Sequence, residues 1–331
     1  MRTFQRLCCG GLLLAAVPAY VHGAQSTQST PSAYPTRPIR FVVPFAAGGN
    51  ADTIARNAGQ KAAEALGQQM VIDNRSGASG NIGMEIVARA APDGYSIVLG
   101  YIANVAIAPS LVSKLPYDPI KDFAPVTLLA TAPNIIVLHP SVPARGMKEL
   151  VALSKAKPKS INFSSAGVAS VGHLTGELFN TALGADLQHV PYKDSAQGVI
   201  DLLAGQIQML IGGMSSVMPH IKAGRLRAVA VTSAQRSSAA PEVPTVAESL
   251  MPGFEATAWY GVLAPAGTPP AIAARLQGEF AKALAAPEVK QRLDNLGYVI
   301  VANTPGEFAA YIKTEITKWA KVVKASGARA E

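Results

Sequence analysis

Two long apolar, β-branched runs, residues 124–139 and 254–264, interrupt a chain that otherwise alternates short strands with helices. Strand–helix alternation calls for parallel sheets with right-handed crossovers. The simplest assembly is α/β, with two domains joined by the two long strands. The first takes residues 34–131 plus 259–331, and the second, residues 132–258, is inserted between. A ligand then belongs in the interdomain cleft, at the carboxyl ends of the strands.

The short elements follow in order. Residues 39–43 read as a buried strand, and residues 52–66 place Ile54, Ala55, Ala58, Ala62 and Leu66 on one helical face that stops at Gly67. Strand 70–73, a helix entered through Gly77-x-x-Gly80-x-x-Gly83 and running to Ala90, and strand 96–100 complete a β-α-β-α-β series. The run 124–139 is expected to break at Pro133. The inserted part repeats the scheme: strand 161–164, a helix from about Ser170, strand 187–190, a helix through Leu203, then strands 209–211 and 226–231. Helices 271–285 and 288–296, strand 298–301 and helix 305–325 close the chain.

Residues 1–23 read as a secretory signal, with Arg2 and Arg6 ahead of an apolar stretch too short to span a bilayer. Cleavage is expected between Gly23 and Ala24, which makes the mature protein periplasmic. The Ser/Thr/Gln/Pro-rich residues 24–36 are expected to form a disordered leader. Both cysteines, Cys8 and Cys9, fall in the signal, so the mature chain has no thiolate for a disulfide or a metal. Removing the two signal arginines lowers the net charge from +8 to +6. The remaining basic residues are scattered; the densest cluster, Lys155-Ala-Lys157-Pro-Lys159, reads as a solvated helix end. With no basic stripe interleaved with aromatics, nucleic acid is not an expected partner.

Catalytic patterns are missing. The chain has neither G-x-S-x-G nor G-x-x-x-x-G-K-[ST], and its histidines show no metal-binding spacing. No cofactor and no metal are expected. Two turns instead share one logic. In Val43-Pro44-Phe45-Ala46-Ala47-Gly48-Gly49-Asn50-Ala51-Asp52 a strand ends, two glycines remove side chains and a helix begins. Such a helix start directs unpaired N–H groups and a positive dipole end at an anion. Ser164-Ser165-Ala166-Gly167-Val168-Ala169-Ser170 repeats the arrangement in the inserted part, with hydroxyls added and a serine to cap its helix. Two such turns, one per domain, would close on one carboxylate. Asp52, itself acidic, is expected to cap the helix that presents the glycines.

In this order Phe45-x-x-Gly48-Gly49-x-x-Asp52, residues 73–83, Ala91-Pro92-Asp93-Gly94-Tyr95, Tyr117-Asp118-Pro119-Ile120-Lys121-Asp122-Phe123, His189-Val190-Pro191-Tyr192-Lys193, Val243-Pro244-Thr245-Val246-Ala247-Glu248 and Trp259-Tyr260-Gly261 with Ala264-Pro265-Ala266-Gly267-Thr268-Pro269 resemble the Bug family. These are the periplasmic solute-binding receptors of tripartite tricarboxylate transporters. The resemblance spans about residues 34–327. It implies a two-lobed periplasmic-binding-protein fold of the type II kind, no enzymatic activity, a small carboxylate ligand (di- or tricarboxylate, or aromatic acid) and membrane transporter subunits as partners. A monomer is the default expectation. The ligand-binding residues expected are Phe45, Ala47, Gly48, Gly49, Asn50, Asp52, Tyr101 and Asn104 from the first lobe. From the second they are Ser164, Ser165, Gly167, Ser170, Tyr192, Lys193 and Gly212.

The chain departs from the common family pattern at Ile211-Gly212-Gly213-Met214, at Asp194 and at Tyr101. Losing a polar side chain near 212 and gaining an aromatic at 101 favours a more apolar or aromatic acid. Two other readings stand beside the receptor: a sensor that passes its ligand to a signalling protein, and a hydrolase built on Ser164 and His173.

Overall fold

Strand β4 (Phe123–Leu138) runs through both halves of the molecule and decides its architecture. The computed structural model describes residues 34–168, 170–192 and 195–326; the signal, the leader up to residue 33, Asp194 and Lys193 lie outside them. From Phe123 to Pro133, β4 pairs antiparallel with β9 (Thr257–Pro265), and from Asn134 to Leu138 with β7 (Met209–Gly213). Sixteen residues at about 3.3 Å each let one strand serve two sheets. Pro133 therefore does not break the run. It sits where β4 changes partners, and Pro125 sits at a register shift, so each missing N–H falls where the ladder is already irregular. The second long run begins as a strand at Thr257; Phe254 precedes it, buried against Phe179.

The strand order is β2-β1-β3-β9-β4-β7-β5-β6. In the first lobe β1 (Ile39–Val43) lies parallel to β2 (Met70–Asn74) and β3 (Ser96–Tyr101). In the second, β5 (Ile161–Ser164) lies parallel to β6 (Leu187–Val190) and β7. β8 (Arg227–Val231) and β10 (Val299–Ile300) pair with β4 in the second and first half respectively. The result is the mixed α/β, two-lobed plan expected.

The helices of the first half are α1 (Asn50–Leu66), α2 (Asn81–Ala88), α3 (Ala108–Leu111) and α4 (Met147–Ala156). They continue as α5 (Val171–Leu183), α6 (Ser195–Leu203), α7 (Met214–Lys222), α8 (Val246–Ser249), α9 (Pro270–Ala285), α10 (Pro287–Asn295) and α11 (Pro305–Ser326). α1 buries Ile54, Ala55, Ala58, Ala62 and Leu66 and ends at a left-handed Gly67, as its pattern demands. α2 is entered through the glycine-rich 78–80 turn. α7, α8 and the helical stretch from Ala103 to Leu111 have no counterpart in the sequence reading, and of α4 only its lysine-bearing end at Lys155 was read. For α8 the signal was present: Thr245 and Glu248 form a reciprocal capping box.

Tyr34 to Thr36, at the end of the expected leader, are held on the first lobe. The Tyr34 hydroxyl donates to Gly94 O (2.6 Å) and the Thr36 N–H to the Tyr95 hydroxyl (2.9 Å). α11 is riveted to β9 by a buried carboxylate. Glu315 Oε2 accepts from both indoles, Trp259 Nε1 at 3.1 Å and Trp319 Nε1 at 3.0 Å.

Candidate functional site

β1 ends at Val43, and Pro44 to Gly49 form the first turn before α1. Gly48 is held at φ +84°, a left-handed conformation natural to glycine. Asp52 holds the turn rather than capping the helix. It lies within α1's first turn, while the N-cap position belongs to Gly49, which makes no side-chain cap bond. Asp52 Oδ2 accepts from Gly48 N (2.9 Å) and Arg56 Nε (2.8 Å), and Oδ1 accepts from Asn74 Nδ2 (3.0 Å). Burial opposes ionisation here, but the bonds from Arg56, Gly48 and Asn74 outweigh it and hold the carboxyl below its usual range. The Gly48 N–H is thus spent within the protein. Those of Ala47 and Gly49 have no partner among the described residues, and both residues are exposed.

Aromatic rings underlie this turn. Phe45 meets Tyr101 edge-on (5.3 Å), Tyr101 stacks on Tyr260 (5.1 Å, 28°), and Tyr298 lies 6.0 Å from Tyr260. The Tyr298 hydroxyl returns to the turn and donates to Asn50 O (2.8 Å). Asn104, fully buried, accepts from Tyr101 N through Oδ1 (2.9 Å). Its Nδ2 is buried without a partner and lies beside Gly80.

The second turn connects β5 to α5. Ser170 caps α5, its Oγ accepting from His173 N (3.3 Å) and donating to Gly167 O (2.7 Å). Ser165 Oγ lies 3.0 Å from Gly167 O and 2.8 Å from His189 Nε2. Ser164 lies beneath the turn, fully buried, with its Oγ unpartnered. Ser164 Oγ makes no bond to His173, so the Ser164–His173 pair of the hydrolase reading is not formed. His189 is ring-to-ring with His173 at 4.2 Å. Burial and the neighbouring His173 push His189 down to about 3, and burial lowers His173 as well.

The two lobes meet at Asn50. Ser215 Oγ, in the first turn of α7, donates to Asn50 Oδ1 at 2.5 Å. Gly213, at the end of β7, packs so close to the Asn50 amide that a Cβ there would lie 2.1 Å from Nδ2. Gly297 is packed on Met214 in the same seam, where a Cβ would lie 3.1 Å from Sδ. The neighbouring Gly212 is buried in β7. α5 lies against this strand end, with Gly172 over Ile211 O, so the second turn flanks the seam. Tyr192 is committed to its own lobe, its hydroxyl donating to Asp201 Oδ2 at 2.7 Å; burial and that carboxylate push it up to about 12.

The structure therefore gathers Phe45, Ala47, Gly48, Gly49, Asn50, Asp52, Tyr101 and Asn104 around one turn, and Ser165, Gly167 and Ser170 around another. Ser164 and Tyr192 are turned to internal roles. Sequence reasoning missed Gly213, Ser215, His189, Tyr260 and Tyr298. His189 and Tyr260 stood inside quoted motifs, whereas nothing local marks Ser215. Among the described residues no cluster of His, Cys, Asp or Glu is placed to hold a metal, and no helix is long and apolar enough to cross a membrane.

A family model described as tripartite tricarboxylate transporter family receptor matches residues 54–328. Protein BugT of Bordetella pertussis is 38% identical over 297 residues, covering 89% of this chain and 91% of BugT. Among solved structures, Rpa4515 of R. palustris with adipate is 35% identical with a TM-score of 0.84, covering 89% of this chain and 99% of its own. MatC from Rhodopseudomonas palustris with bound malate is 33% identical with a TM-score of 0.81, covering 88% and 100%.

Proposed function

The chain belongs to the tripartite tricarboxylate transporter receptor family and is a solute-binding receptor, not an enzyme; from that premise we propose that it captures a small carboxylate, a di- or tricarboxylate or an aromatic acid, between its lobes. The protein works in the periplasm as a monomer, after cleavage near Gly23/Ala24, and delivers the acid to transporter membrane subunits. The observation that carries this reading is the Asn50–Ser215 bond. It draws the second lobe over the first turn, beside the uncommitted N–H groups of Ala47 and Gly49. One ligand carboxylate is held by those groups and by the Ser165–Ser170 turn, through charge-assisted hydrogen bonds at two helix starts. Asp52 supports the turn and does not touch the anion. The adipate and malate of the two R. palustris structures are acids of the proposed kind.

A thermal-shift screen of mono-, di-, tri- and aromatic carboxylates tests the proposal. A ligand at ~100 Kd adds about 2.7 kcal/mol of stability, which raises the melting temperature measurably. Shifts by neutral sugars or cations, with none from any carboxylate, would overturn it. Amino-terminal sequencing of the exported protein tests the cleavage position.

A further inference from the structure

We infer that the cleft floor selects an aromatic carboxylate carrying an uncharged polar substituent, such as a hydroxyl, at the end opposite its carboxylate, and that Tyr101 and Tyr260 read that substituent. This rests on the receptor reading above and narrows its ligand.

Tyr101 and Tyr260 are register partners across β3 and β9, directly opposite one another and stacked. Phe45 from the first turn closes one end of the aromatic row, and Tyr298, bonded to Asn50 O, closes the other. The row therefore starts and finishes at the turn that receives the carboxylate. Phe45 and Tyr101 are half-buried, so part of each ring meets solvent. An aromatic body lying against such rings gains offset or edge-on contacts that an alkyl chain lacks.

The hydroxyls supply the second observation. Tyr34, Tyr117, Tyr192 and Tyr298 each donate to a protein acceptor. Those of Tyr101 and Tyr260 have no protein partner among the described residues, although Tyr260 is only 4% exposed. A tyrosine that deep ordinarily satisfies its hydroxyl. Neither is among the sealed partnerless atoms, so each keeps an opening to solvent. Burial raises the pKa of both, so both stay neutral, able to donate or accept. At the first turn the Arg56 guanidinium is committed to Asp52 and Asn74. A second carboxylate against these neutral hydroxyls pays a desolvation cost that a hydroxyl avoids.

Calorimetric titration of the purified protein with 4-hydroxybenzoate, benzoate and adipate tests this. We expect 4-hydroxybenzoate to bind at least about tenfold tighter than the other two. Tyr101→Phe and Tyr260→Phe should each weaken 4-hydroxybenzoate about three- to tenfold, the worth of one neutral hydrogen bond, and leave benzoate within about twofold. Melting curves of both variants confirm that they fold. Equal affinity for benzoate and 4-hydroxybenzoate, tighter binding of adipate, or parallel losses of both aromatic acids in the variants would overturn the inference and leave the receptor reading standing. If no carboxylate binds, the receptor reading itself fails.

Discussion

Ser215 and Asn50, 165 residues apart in the chain, share a 2.5 Å hydrogen bond that spans the two lobes. Asn50 opens α1 and Ser215 lies in the first turn of α7, so the contact ties one helix start to another. Ser215→Ala should loosen the closed form without touching either turn. The expected result is an affinity about three- to tenfold weaker, seen in stopped-flow as faster dissociation with unchanged association. An unaltered dissociation rate would mean that the bond does not hold the lobes shut.

Gly48 separates space from backbone conformation. A Cβ there meets no protein atom within 4 Å, but its φ of +84° is one that side chains resist. The left-handed region costs a branched residue roughly 1–2 kcal/mol or more, and asparagine less. Gly48→Val should abolish carboxylate binding while lowering the melting temperature by only a few degrees, because the distorted turn misdirects its N–H groups and the side chain fills the anion's place. Gly48→Asn should fall between. Full affinity in the valine variant would place the site elsewhere.

What was legible in the sequence is what period and punctuation encode. The alternating elements, the buried stripe of α1, its Gly67 stop and the serine cap of α5 all follow from neighbours a few residues apart. Pro133 misled because a proline forbids a ladder bond only where one is needed, and at that residue β4 is changing partners. α7 was hidden behind Gly212-Gly213 and carries Pro219 within it. Asp52 was read as the cap of α1, but its carboxylate accepts from the Gly48 N–H instead, a choice set by the three-dimensional turn. The Asn50–Ser215 pair had no local signal at all, since only the folded sheet brings those residues together.

Glu315 offers a test of how α11 holds β9. Its carboxylate accepts from two buried indoles, Trp259 on β9 and Trp319 on α11 itself. Glu315→Ala leaves both N–H groups unpaired at a cost of about 2–6 kcal/mol, since each buried orphan costs roughly 1–3 kcal/mol. A melting temperature several degrees lower and a shifted tryptophan emission are expected. Glu315→Gln keeps an acceptor oxygen and should recover most of the loss. A glutamine variant as unstable as the alanine one would assign the effect to charge, with Lys318 at 3.4 Å as the partner concerned.

The paired histidines set a pH dependence whose sign follows from their burial. His189 faces His173, Phe163 and Ser165, and His173 faces Glu177 at 3.9 Å. Burial, then the charge of His173, depress His189 from its ordinary 6.5 to about 3, and burial lowers His173. Between those values the unfolded chain binds protons that the folded protein refuses. Stability is therefore full above about pH 6.5 and falls as pH drops toward 3. The melting temperature should decline over that window, and His189→Gln, which keeps a bond for Ser165, should make the decline shallower by roughly half. Because Ser165 belongs to the second turn, carboxylate affinity in that variant should stay near that of the parent at pH 7.5. Identical pH profiles for the two proteins would show that the acid sensitivity arises elsewhere, among the carboxylates.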